Sequence, residues 1–196
     1  MSSFPAMREL TDHGPRYAET ALGRFPVEPV NTLSNLIFLA VLILLVWRLT
    51  TKHRWTPFFF SVAAILFIGW IGGTIYHATR SSVVWLLLDW VPIAVLCLMG
   101  ATWFSLHLEP RTRRRMLFVG IPLLLLTLAA AEGLRPAAMR IGGGYAVLAA
   151  AVELPAILHC AQNRGRRAGL LLGAVGSFAV ALGCRFADAH FIGETP

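Results

Sequence analysis

The chain has 196 residues, of which 57% are hydrophobic and 14% charged, and its mean hydropathy is +0.67. Soluble domains are usually about 45–50% apolar and about 25% charged, so the composition excludes intrinsic disorder and argues against a water-soluble fold. The formal charge is +7, and the three cysteines (Cys97, Cys160, Cys184) form no CxxC pair, so neither a disulfide framework nor a thiolate metal cluster is indicated.

The expected fold is all-α: a polytopic transmembrane helix bundle forming a single domain over 1–196, with residues 1–30 as an external polar, proline-containing tail. Six apolar stretches are expected as membrane helices, at about 33–49, 57–76, 83–106, 116–131, 145–161 and 168–184. Crossing a bilayer takes ~20 helical residues; the fourth stretch is short but apolar throughout. Ten basic residues fall in the loops after the first, third and fifth stretches, including Arg111, Arg113, Arg114 and Arg115. The opposite side carries seven basic residues and eight of the ten acids. The positive-inside rule then puts the N-terminus outside and those three loops in the cytoplasm. This distribution accounts for the net charge without nucleic acid, and no nucleic-acid partner is expected.

In chain order, polar residues gather at one membrane face. Glu28, Asn31 and Asn35 precede or open the first stretch; helix capping by the Asn31–Asn35 segment is the plainer reading of the asparagines. The second stretch ends in Gly69-Trp-Ile-Gly-Gly73-Thr-Ile-Tyr-His77. Gly69 and Gly73 form a GxxxG pair that lets another helix approach closely, and His77 continues the same face. A neutral imidazole there suits a metal, zinc above all; the alternative is an interfacial histidine bonded to a backbone carbonyl. Asp89, inside Leu86-Leu-Leu-Asp-Trp-Val-Pro92, needs a partner: His77, a metal or its water, or a structural pair with Arg80 or Arg185. Arg185, Asp188 and His190 close the sixth stretch on the same side. Buried ionisable groups in a membrane mark function by default, and a shared outer pocket is the economical reading. Glu153 is read as a packing residue, and His53, His107 and His159 as interfacial residues of the other face.

At these residues the sequence resembles the alkaline ceramidases and their bacterial relatives, part of a superfamily of seven-helix membrane hydrolases that also contains the progestin and adiponectin receptors and the hemolysin III-like proteins. Glu28-Pro-Val-Asn31-Thr32-Leu-Ser34-Asn35 resembles the family's Glu-Phe-x-Asn-Thr-x-Ser-Asn. Gly-Gly73-Thr-Ile-Tyr-His77-Ala-Thr79 resembles Gly-Ser-x-x-Phe-His-x-Thr, and Leu88-Asp89-Trp-Val-Pro92 resembles Leu-Asp-Glu-x-Pro. Asp188 resembles an aspartate that precedes the family's last helix.

The resemblance implies a zinc-dependent amidase of the membrane that cleaves the amide bond of ceramide or a related lipid. It makes His77 a zinc ligand and Asp89 the catalytic residue that orients or deprotonates the zinc-bound water. It implies a ceramide-like lipid substrate arriving from the bilayer, and a bacterial inner membrane with a periplasmic N-terminus. Tyr17-Ala-Glu19 also resembles the family's Trp-Cys-Glu, so Glu19 and Glu28 are carried as metal ligands of a calcium site.

Three positions depart from the pattern. The family's serine is Gly73 here, and Thr74 lies on another face. The aspartate before the aromatic is Arg16, with a shorter spacing to Glu28. The HxxxH pair of a seventh helix has no counterpart among the 196 residues, which leaves two expectations: a chain that continues into that helix, or a member that has lost hydrolysis. The alternative function is therefore a non-catalytic lipid-binding or receptor-like member of the superfamily. A small transporter is a third reading, without broken-helix pairs or an internal repeat behind it. No feature of the sequence encodes oligomeric state.

Overall fold

The computed structural model describes residues 14–122, 126, 141–165 and 168–193, and shows an all-helical chain. The helices are α1 (Pro29–Ser34), α2 (Leu36–Thr51), α3 (Pro57–Thr79), α4 (Val83–Leu106), α5 (Pro110–Arg115), α6 (Ile141–Gln162) and α7 (Ala168–Gly193), with a π-helical turn at Met116–Gly120. Among the described residues there is no strand. The side chains of Arg185, Asp188 and His190, and most of the expected fourth helix beyond Pro122, lie outside the described residues.

Among the described residues, three helices are long and apolar enough to cross a membrane: Pro29–Thr51, in which Asn35 briefly interrupts α1 and α2, Pro57–Thr79 and Val83–Leu106. Within an 18-residue apolar stretch of each, only 6–17% of the residues are buried by protein. Along α2, Ile37, Val41, Ile43, Leu44 and Trp47 are all exposed. A soluble protein rarely shows so large an apolar surface, whereas a helix satisfies its own backbone and tolerates lipid around it. The three helices fit an integral membrane protein.

Local chemistry sets the ends. The first span begins at Pro29 rather than near residue 33, because Pro29 occupies the first helical turn, where its missing N–H costs nothing. Thr56 caps α3 by accepting from the Phe59 N–H, with Pro57 again in the first turn. At the other end α3 runs to Thr79, past the expected Tyr76, and stops at Arg80 in the left-handed conformation.

The chain divides into two units, with the boundary in the chain after Leu96 of α4. In the first, ending at Leu96, Leu42, Ala63 and Leu66 form a small core joined by Leu45 and Leu96. Here α3 meets α4 through glycine. A Cβ on Gly72 would come within 2.5 Å of Leu88, and one on Gly69 within 3.0 Å of Pro92. Pro92 sits inside α4 without ending it. In the second unit His107 stacks on Trp103 at 4.1 Å between centroids, with His159 edge-on at 6.0 Å from Trp103. The Glu109 N–H donates to Gln162 at 3.2 Å.

Candidate functional site

Every described part of the site belongs to the first unit: the segment 14–28, Asn35, α3 from Gly73 to its end and the second turn of α4. The backbone brings them together. The Val27 N–H donates to the Ala78 carbonyl and the Glu28 N–H to the His77 carbonyl, both at 3.0 Å. A helix C-terminus leaves four carbonyls unpaired; these two bonds satisfy two of them and set Glu28 beside His77.

Glu28 is 0% exposed. A lone carboxylate there would cost several kcal/mol, and three donors offset it. His77 Nδ1 lies 2.6 Å from Oε2. Arg80 Nη1 and the Thr20 hydroxyl reach Oε1 at 2.5 and 2.6 Å. Burial pushes the Glu28 pKa up, but the bonds from His77, Thr20 and Arg80 outweigh it and hold the carboxyl below its ordinary 4.5.

Arg80 is itself buried. Its φ is +47°, a conformation that costs a non-glycine residue about 1–2 kcal/mol. The Arg80 N–H donates to Tyr76 at 2.7 Å, closing the helix. The guanidinium also donates to the Pro15 carbonyl at 2.8 Å and lies 4.8 Å from the Tyr76 ring centroid.

His77 is 7% exposed. Tyr17 and Tyr76 meet its ring edge-on at 5.6 and 5.0 Å between centroids. An ionised Glu28 can only accept, so Nδ1 carries the hydrogen, and in that tautomer the lone pair available to a metal is on Nε2. That nitrogen faces Asp89 Oδ2 at 3.7 Å, too far for a direct hydrogen bond.

Beside Asp89 the third glycine of α3 leaves room. A Cβ on Gly73 would collide with Asp89 Oδ1 and lie 3.1 Å from Asn35 Nδ2. Asn35 is buried, and its Nδ2 has no hydrogen-bond partner among the described residues. Buried amide donors are nearly always paired, so this nitrogen is an orphan aimed at the same small space. Thr74 does not replace the missing serine hydroxyl there: its Oγ1 donates to the Trp70 carbonyl at 2.7 Å.

Glu19 stands elsewhere. Its two oxygens accept the N–H groups of Val30 and Asn31 at 2.6 and 2.8 Å, a carboxylate on the positive end of α1. Capping of this helix therefore comes from eleven residues upstream. The hydroxyls of the Asn31–Asn35 segment turn back to their own helix, Thr32 to the Glu28 carbonyl and Ser34 to the Asn31 carbonyl.

The donors can be compared with the metals expected. A metal-binding histidine typically has its second nitrogen held by a carboxylate; His77 has this, and Nε2 faces a second carboxylate. These residues fit a zinc ion. They would supply only part of its protein ligands, since among the described residues no three His, Cys, Asp or Glu side chains group together and a catalytic zinc normally takes three. Calcium asks for six to eight oxygens. The carboxylates of Glu19 and Glu28 are taken by protein donors, one of them a guanidinium, and do not fit it.

A family model described as Ceramidase matches residues 22–193. The chain belongs to the ceramidase family. No curated protein and no solved structure matches it. The match spans Glu28, His77, Arg80 and Asp89, whereas Tyr17, Glu19 and Thr20 precede it. With its three long apolar helices, this ceramidase-family member is a ceramidase-like membrane protein.

Sequence reasoning brought Glu28, His77 and Asp89 together but offered Arg80 as a partner of Asp89, whereas Arg80 bonds Glu28. It passed over Thr20. A lone threonine eight residues before a glutamate carries no signal, because only the turn between them brings it back.

Proposed function

We propose that this protein is a zinc-dependent amidase that hydrolyses the amide bond of ceramide or a related lipid amide. The observation that carries the reading is His77, buried, pinned at Nδ1 by Glu28 and presenting Nε2 to Asp89. His77 would hold the ion through Nε2. Zinc, when bound, supplies Lewis acidity and a water that ionises near neutral pH. Asp89 accepts a proton from the attacking water and returns it to the leaving amine. Glu28 keeps the imidazole in one tautomer and one orientation. The Asn35 amide donates toward the same space. Glu19 and Glu28 serve the protein's own architecture, and the reading includes no calcium.

Two variants test it. Asp89→Asn should lower turnover of a fluorescent ceramide by about 10²–10⁴-fold with membrane insertion unchanged; normal turnover sinks the mechanism. The purified protein should carry about one zinc per chain, and His77→Ala should carry none.

The second reading is a non-catalytic, lipid-binding or receptor-like member of the family. Gly73, which leaves the site without a serine hydroxyl, favours it. A protein that binds ceramide, contains no zinc and never turns over would establish it.

A further inference from the structure

We propose that Arg80 is the built-in cation of this centre, tying the segment 14–28 to Glu28 and through it to His77, so that the centre is organised without calcium. The proposal rests on the hydrolase reading for its consequence at His77, and its first test does not.

One guanidinium nitrogen bridges two oxygens from separate parts of the chain. Nη1 lies 2.5 Å from Glu28 Oε1 and 2.8 Å from the Pro15 carbonyl. A carboxylate and a backbone carbonyl are the ligand types that calcium takes; here a covalently attached charge meets them. Both side chains of the pair are 0% exposed, so water and salt screen the interaction little.

The backbone points the same way. A helix that ends in the left-handed conformation usually ends on glycine, yet this one ends on arginine at φ +47°. Strain of this kind persists where the surroundings over-determine it. The surroundings include Glu28, Pro15 and the Tyr76 ring. Glu19, the other carboxylate expected near a cation, is spent on Val30 and Asn31.

From Arg80 the contacts lead to Glu28 Oε1, across the carboxylate to Oε2, and on to His77 Nδ1. Arg80 touches no reacting atom. It is a positioning residue: it holds the Glu28 carboxylate in place, and Glu28 keeps Nε2 of His77 aimed at Asp89.

The test uses the full chain in lipid nanodiscs. Hydrogen exchange is followed at residues 14–35 with calcium chloride or with EGTA, and zinc is then titrated under the same two conditions. Wild type should exchange identically in both and bind zinc with the same affinity. Arg80→Gln should expose the Val27 and Glu28 amides to faster exchange and weaken zinc binding by about 10–100-fold, with Arg80→Lys recovering part of both.

Calcium-dependent protection of residues 14–35 in wild type overturns the proposal, and it does so even if Arg80→Gln fails to fold. A folded Arg80→Gln with wild-type zinc affinity overturns the positioning role, since a purely structural arginine would alter exchange alone. If wild type takes up no zinc while its exchange behaves as expected, the hydrolase reading falls and the cation assignment stands.

Discussion

Glu28 is the residue on which the others at this site depend, and its charge state has a measurable consequence. Its carboxyl is held below 4.5 in the folded protein by His77, Thr20 and Arg80 against the opposing effect of burial. An acid with a lowered folded pKa stabilises the fold above its unfolded pKa and loses that contribution as pH falls through the folded one. Metal-free protein should therefore lose stability as pH drops below 4.5, and Glu28→Gln should flatten that part of the profile. Thermal unfolding at a series of pH values checks it. Gly73 gives a second residue-scale prediction. The atom that an added Cβ would meet first is the end of the Asp89 side chain, which can rotate away. Gly73→Ala should thus fold and insert normally but hydrolyse ceramide more slowly, as a comparison of expression and turnover would reveal.

At the scale of elements, the neighbouring glycine behaves differently. A Cβ on Gly72 would lie 2.5–2.6 Å from the Cβ, carbonyl carbon and oxygen of Leu88, and backbone atoms cannot swing aside. Alanine favours a helix over glycine by up to about 1 kcal/mol, whereas overpacking costs about 1–3 kcal/mol. Gly72→Ala should therefore be net destabilising, read as a lower unfolding midpoint in detergent. The GxxxG spacing of Gly69 and Gly73 was legible as a sign of close helix approach, but it did not single out Gly72. Which glycine lies at the contact depends on where Leu88 of α4 crosses, a property of two helices together. The ends of α3 show the same division. Thr56 and Pro57 announce its start, but its last turn is completed by Val27 and Glu28, fifty residues away in the sequence.

At the scale of the whole molecule, composition and the long apolar runs identify a membrane protein, and the arginine count gives only an expected side for each loop. Reporter fusions should place Arg111–Arg115 in the cytoplasm; an external signal would invert the topology and put the His77 face inside. That outcome would leave the local chemistry intact and change which compartment supplies water and receives product.

The sequence by itself determined the all-helical membrane character, because apolar length and composition are properties of single segments. It also determined the family, through motifs around Glu28, His77 and Asp89. Only the tertiary structure shows which groups these charges meet. The Glu19 carboxylate accepts the first N–H groups of α1. Arg80 could have met Asp89 and met Glu28. The reason is physical: a buried charge takes the opposite charge that the fold delivers within hydrogen-bonding reach, and reach depends on how separate segments pack.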